Sequence, residues 1–232
     1  MEYLPHNITM ELPAGTFPLS TDSVVLANFV RLPKNARVLD LGSGCGTLGL
    51  MLCASDPGCT VTGVELSQAG HEAALANIRR NRLDDRLESI CADLRNLPAG
   101  FLGERFHCVV SNPPYFSGGP ASQATPLARR DDCCSPEDLF SCASKALRYG
   151  GDFYLVHKPE KLAQLITCAA AFHLEAKQLT LIRHKEGSGV SMILLQFKKG
   201  GKPGLRLHEQ SLFDSQGNPT DYYREVYHIK GD

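Results

Sequence analysis

Short apolar runs alternate along this chain with segments of helical period. The runs are "ARVLDL" (36–41), "TVTGVEL" (60–66), "LESICAD" (87–93), "FHCVVSN" (106–112) and "GDFYLVH" (151–157). Their interiors are almost continuously apolar, as parallel strands covered on both faces require. Between them the pattern predicts helices over 46–55, 67–82, 135–148 and 159–172. In the third, Ser135 can cap, Pro136 suits the first helical position, and Asp138 enters the first turn. Leu139, Cys142, Ala143 and Ala146 then form an apolar stripe, and Gly150 closes the segment. In the fourth, Pro159 opens the helix, and Leu162, Leu165, Ile166 and Ala169 make its buried face. Strands alternating with helices predict a doubly wound α/β fold around a mostly parallel, twisted sheet. Two later runs, 174–183 and 190–197, are joined by "EGSG" (186–189) and predict an antiparallel C-terminal hairpin.

At 232 residues, 43% hydrophobic and 21% charged, the chain is expected to form one globular domain over 1–232. Its formal net charge of −1 excludes a wholly basic nucleic-acid binder, so any such contact must be local. The start, "MEYLPHNITM", has no basic region followed by an apolar core, which predicts no secretion signal. Runs such as "LGLMLCA" are too short to cross a bilayer. The expectation is a cytoplasmic protein whose nine cysteines are reduced thiols. The sequence has no C-x-x-C pair, and "HEAAL" (71–75) lacks the second histidine of a zinc-binding helix, so no metal is assigned.

The first strand runs into "VLDLGSGCGTLGL", a glycine-rich turn before a helix. Such carboxyl ends of open α/β sheets bind ligands, because backbone without side chains allows close approach. Gly42, Gly44 and Gly46 make G-x-G-x-G, with Thr47 where a dinucleotide loop would place its third glycine. A G-K-[ST] ending is also missing, which excludes a phosphate-binding P-loop. Asp40 stands just before the glycines, where a diphosphate would bring negative charge. An acid there suits a ligand carrying cations, such as the ammonium and sulfonium of S-adenosylmethionine. Glu65, at the end of the second strand, can accept from both ribose hydroxyls. Asp93, closing the third, is positioned to accept from the adenine amino group.

The fourth strand delivers "SNPPY" (111–115) to the same edge. The amino group of adenine is a poor nucleophile, because its lone pair is delocalised into the ring. Two acceptors on its hydrogens restore that lone pair. The Asn112 side-chain carbonyl and the Pro113 backbone carbonyl can supply them. Pro113 and Pro114 stiffen the turn, so the acceptors are held before the reaction begins. Tyr115 can stack on the face of a base taken out of its stack.

With "NPPY" following a "DLGSGCG" loop, the chain resembles the Rossmann-like class I methyltransferases that use S-adenosylmethionine to modify planar amide or amine nitrogens. "TDSVVLANFV" (21–30), "HKPEKL" and the terminal "YYREVYHI" make it similar to one branch, the bacterial tRNA1(Val) adenine-37 N-methyltransferase family. The resemblance implies methylation of an adenine 6-amino group in tRNA, with S-adenosylhomocysteine as product. It also implies that residues 1–35 form an extension over the cofactor site, where Thr21 and Asp22 add contacts.

Rival readings are separable. Glutamine methyltransferases with the same motif carry an N-terminal helical domain, and only about forty residues precede the glycine loop here. DNA adenine methyltransferases append a target-recognition domain that 232 residues do not supply. Guanine-amine rRNA methyltransferases more usually have phenylalanine after the prolines. A non-catalytic RNA-binding relative would be expected to lose Asp40, Glu65, Asp93 or Asn112, and all four are present. For RNA contact, residues 177–206 hold seven lysines and arginines against the single acid Glu186. Arg79, Arg80 and Arg82, and Arg129 and Arg130 beside the loop 117–134, extend that basic candidate surface.

Overall fold

The structure, a computed structural model, describes residues 2–12, 20–114 and 134–229. The chain enters through a short hairpin, β1 (Glu2–Leu4) and β2 (Ile8–Met10), followed by α1 (Thr21–Phe29). Next come β3 (Arg37–Leu41), α2 (Thr47–Ser55), β4 (Thr60–Glu65), α3 (Gln68–Arg80) and β5 (Leu87–Cys91). After β6 (Phe106–Ser111) follow α4 (Pro136–Ala146), β7 (Leu147–His157), α5 (Leu162–Ala171) and β8 (Leu174–Lys185). β9 (Val190–Lys199), β10 (Arg206–Phe213) and α6 (Asp221–Val226) complete the described elements.

Strands β3 to β10 form one sheet in the order β10-β8-β9-β7-β6-β3-β4-β5. From β7 to β5 every neighbour is parallel, and β9 runs antiparallel to both β7 and β8. The expected mostly parallel sheet with an antiparallel hairpin is therefore what the chain builds. β10 adds a strand the hydrophobic pattern did not suggest: it lies parallel to β8 at the edge, with Arg206 to Gln210 exposed. The chain makes the crossing from β9 around the start of β8.

Side chains alternate between the two faces, which explains the continuous apolar runs. Along β3, Val38 joins the core under α1, α2 and α3, while Leu39 and Leu41 join the core under α4 and α5. In the second core Phe140, Phe153 and Phe197 are fully buried, with ring centroids 5.3 to 6.0 Å apart. The α4 start is a capping box: Asp138 N–H donates to Ser135 Oγ at 3.1 Å, and Ser135 N–H to Asp138 Oδ2 at 3.0 Å.

Two boundaries differ from expectation. α4 stops at Ala146, and β7 begins at once, because Leu147 is buried and pairs with Phe106 in the sheet. Gly150, at φ 75°, consequently lies inside β7 and does not end the helix. In the fourth predicted helix, Pro159–Lys161 make a tight turn ahead of α5. Leu165, Cys168 and Ala169 are its buried positions, whereas Leu162 and Ile166 are half-buried. No helix among the described residues is long and apolar enough to cross a membrane.

Candidate active site

Strands β6, β3, β4 and β5 are consecutive and parallel, so their carboxyl ends share one edge of the sheet. Asn112, Asp40, Glu65 and Asp93 follow one another along it. Between β3 and β6 the winding of the chain reverses, the place where such sheets open a crevice. The glycine loop lies over this edge, clipped to β4 by Gly42 N–H and Ser43 N–H, which donate to Val64 O at 2.9 and 3.0 Å. Gly42, Gly44 and Gly46 have φ of 73°, 54° and 85°, a region that suits glycine. A Cβ on Gly42 or Gly44 would meet nothing within 4 Å, so the loop faces open space. On β4, the missing side chain of Gly63 makes room for Ser43, whose Oγ would lie 2.8 Å from a Cβ there.

Asp40 is 1% exposed, and among the described residues neither carboxylate oxygen has a hydrogen-bond partner of normal geometry. Burial pushes its pKa up to about 8, and the nearby Glu65 adds to the shift. The Gly49 N–H offsets only part of that cost. Leaving a buried carboxylate without partners is expensive, and a cationic ligand would relieve it. Glu65 is half-buried and tied down at both oxygens. Gly44 N–H donates to Oε2 and Ser67 N–H to Oε1, each at 2.8 Å. Its carboxylate is thus fixed beside the glycine loop with lone pairs remaining for hydroxyl donors.

Asp93 is engaged differently from the expectation. It caps the turn Leu94–Asn96 by accepting from Arg95 N–H at 2.9 Å. The Arg95 guanidinium grips both oxygens at 2.6 to 3.0 Å and holds the carboxyl below its ordinary pKa. An adenine amine at Asp93 would have to share it with Arg95.

At the end of β6, Ser111 Oγ donates to Leu41 O at 2.7 Å, tying the proline turn to the end of β3. Pro113 is buried and Pro114 exposed. The Asn112 amide donates from Nδ2 to Ser23 Oγ at 2.9 Å and to Ser20 Oγ at 3.4 Å. Ser20 is also the N-cap of α1, its hydroxyl accepting from Ser23 N–H. Tyr115, Arg129, Arg130 and all but the last residue of the loop 117–134 lie outside the described residues.

The N-terminal segment meets the site, though not only through the residues expected. Thr21 Oγ1 accepts from the Tyr227 hydroxyl at 3.5 Å, and Asp22 is half-buried near Lys158. Burial raises the Asp22 pKa, with Lys158 opposing. Ser20 and Ser23 reach Asn112, and sequence reasoning passed over both. A cap signal ahead of an apolar run was readable there, but a partner 89 residues away was not. Asn77 was also missed. Fully buried in α3, its side chain accepts from Glu11 N–H at 2.8 Å. It donates to Glu11 O at 3.1 Å and Cys45 O at 3.2 Å, joining the N-terminal segment to the glycine loop.

The basic segment 177–206 does not form one surface. Because β9 runs against its neighbours, Lys198 and Lys199 lie at the sheet edge opposite the site, with Lys177, Lys202 and Arg206. Lys198 pairs with Asp152 at 2.9 Å and Lys199 with Glu104 at 3.0 Å. Arg183 and Lys185 are at the site edge, Arg183 paired with Glu209. Arg80 pairs with Glu11.

Known proteins match this arrangement. The methyltransferase small domain family matches residues 19–173. A tRNA1(Val) (adenine(37)-N6)-methyltransferase of Porphyromonas gingivalis is 33% identical over 72% of this chain and 70% of its own. Its counterpart in Bacteroides fragilis is 30% identical over 77% and 76%, and that of Photobacterium profundum 26% over 85% and 87%. Among solved structures, a predicted O-methyltransferase from Agrobacterium tumefaciens superposes with a TM-score of 0.76 at 24% identity, covering 90% of this chain and 96% of that one. A Streptomyces coelicolor geranyl diphosphate C-methyltransferase, in complex with S-adenosyl-L-homocysteine, gives 0.57 at 15% identity over 76% of both chains. These likenesses show the class I methyltransferase fold. An orphaned buried carboxylate, an open glycine loop and a second fixed carboxylate fit S-adenosylmethionine, the family's cofactor. The chain belongs to the tRNA1(Val) (adenine(37)-N6)-methyltransferase family of S-adenosylmethionine-dependent enzymes, within the methyltransferase small domain group.

Proposed function

We propose that this protein methylates the 6-amino group of an adenine in tRNA, the adenine at position 37 of tRNA1(Val), and that the residues of the β6–β3–β4–β5 edge carry the reaction. The observation that supports this reading best is the juxtaposition of the Asn112–Pro113 turn with the unpartnered Asp40 across the β3–β6 crevice. S-adenosylmethionine supplies an electrophilic methyl group on a sulfonium, beside an ammonium cation and a ribose diol. Asp40 and Glu65 are assigned its cations and ribose hydroxyls, with Gly42, Gly44 and Gly46 allowing close approach. Asp93 is assigned the adenine amine of the cofactor, shared with Arg95.

Asn112 Oδ1 and Pro113 O each accept one N–H of the target amine, which returns the nitrogen lone pair to a reactive geometry. The stiffness of Pro113 and Pro114 fixes both acceptors in advance, so little reorganisation remains at the moment of reaction. Once methylated, the amine is cationic and acidic and gives its extra proton to water. A dedicated base is unnecessary. Tyr115 is assigned stacking on the target base. Thr21, Asp22 and the rest of residues 1–35 are assigned the cover over the site, within one domain spanning 1–232.

The test is methyl transfer from labelled S-adenosylmethionine to total tRNA lacking the modification, followed by nucleoside analysis. Label in N6-methyladenosine of tRNA1(Val) is expected, and label in protein or in a methylated guanine would overturn the reading. Asn112→Ala should slow turnover by roughly a hundred- to a thousandfold while cofactor affinity holds.

A further inference from the structure

The Asn112 side chain has a carbonyl at one end and an NH2 at the other, and half a turn about its last bond exchanges them. Only the carbonyl end can accept from an amine. The reaction therefore depends on which end faces the crevice, and the Pro113–Pro114 backbone leaves that side-chain torsion free. We propose that Ser23 is a positioning residue for methyl transfer: its hydroxyl oxygen takes the Asn112 Nδ2–H and holds the side chain in the orientation that presents Oδ1 to the target amine. This role rests on the proposed reaction.

Three observations carry it. The Nδ2–Oγ distance to Ser23 is 2.9 Å, a normal hydrogen bond, and Ser20 Oγ receives the same nitrogen at 3.4 Å. Both hydroxyls thus meet the donor end of the amide. Ser23 is also 8% exposed, so water competes poorly for that bond. Finally, the hydroxyl cannot drift. Ser20 caps α1 and its side chain accepts from Ser23 N–H, while Val24, Val25 and Leu26 beside Ser23 are buried in the core. The start of a helix anchored in the core is thereby the support for an amide 89 residues away.

Holding the Asn112 amide in this way differs from a cap that merely stabilises α1. Ser20 serves the helix, and Ser23 at the third helical position contributes no cap of its own. Losing Ser23 should disturb the chemistry more than the fold.

The experiment compares Ser23→Ala, Ser23→Thr, Asn112→Ala and the Ser23→Ala/Asn112→Ala pair in single-turnover methylation of tRNA. Steady-state constants and calorimetric cofactor affinity are measured alongside. Ser23→Ala should lower kcat roughly three- to thirtyfold, with KM for tRNA and cofactor affinity unchanged within about twofold. Ser23→Thr, which keeps the hydroxyl, should recover the wild-type rate. In the Asn112→Ala background Ser23→Ala should cost nothing further, because its effect passes through the amide. Should alanine disturb the helix start, Ser23→Cys carries the same test, being near-isosteric with a weak acceptor. An active wild type with Ser23→Ala at full rate overturns the role of Ser23 alone, as does a full additional loss in the Asn112→Ala background. A wild type that methylates no RNA overturns the reaction assignment, and this role with it.

Discussion

Asp40 is the residue whose environment departs furthest from that of a free carboxyl. In the cofactor-free protein its pKa is raised from 3.8 to about 8, chiefly by burial. Folding therefore takes up a proton between those values. The stability this contributes is fully present below the unfolded pKa and is lost as pH rises through about 8. A bound cation favours the ionised form, so cofactor binding should release a proton across the same window. Affinity for S-adenosylmethionine should accordingly rise with pH up to about 8, by at most about tenfold per unit. Calorimetry in buffers of different ionisation enthalpy reads the released proton directly, and Asp40→Asn should abolish it. Glu65 calls for a separate measurement. Charge-assisted hydrogen bonds contribute about 1.5–3 kcal/mol, so Glu65→Ala should weaken cofactor binding roughly ten- to hundredfold. A folded Glu65→Ala protein with wild-type affinity would remove Glu65 from the ribose.

At the scale of elements, the N-terminal segment, α3 and the glycine loop are joined by Asn77 and Asn81. Asn81 accepts from Thr9 N–H at 3.1 Å and donates to Thr9 O at 2.8 Å, while Asn77 bonds Glu11 and Cys45. These bonds replace strand pairing for β2, whose other partner is only the three-residue β1. Asn77→Ala removes the hydrogen bonds to the backbone of Glu11 and Cys45, at a cost of about 0.5–1.5 kcal/mol each. Chemical denaturation should show that loss, and calorimetry a weaker cofactor affinity, since the Cys45 carbonyl is part of the loop. Phe140 lies in the opposite core, packed against Phe153 and Phe197. Phe140→Ala should cost about 3–5 kcal/mol, with the affinity of the remaining folded protein unchanged.

For the whole molecule, the decisive quantity is how charge divides between the two edges of the sheet. Lysines clustered in sequence are separated by strand direction: Lys185 ends β8 at the site edge, and Lys202 follows β9 at the far edge. On the proposed reaction, a tRNA whose target base enters the β3–β6 crevice lies against the first edge. Lys185→Glu should weaken tRNA binding and reduce its salt slope by about 1. Lys202→Glu should leave the slope where it was, as should disruption of the Lys199–Glu104 pair. Filter binding across a salt series checks all three variants together.

The alternation of apolar runs and helical stripes was enough to read the strand–helix order from Arg37 to Lys199, because each element buries a periodic face of its own. The acids closing β3, β4 and β5 and the turn at Asn112 were legible for a related reason: chemistry at strand ends is local in sequence. β10 and the first hairpin were not legible. Their strands are short or exposed, held by edge pairing and by Asn77 and Asn81, neither of which leaves a hydrophobic period. Nor could Leu147 be assigned to a strand before its partner Phe106 was known. Tertiary structure alone decided two further matters. It turned the Asn112 amide toward Ser23, and sent Lys198 and Lys199 away from the site. Each depends on the direction and register with which distant segments meet, and local composition carries no information about either.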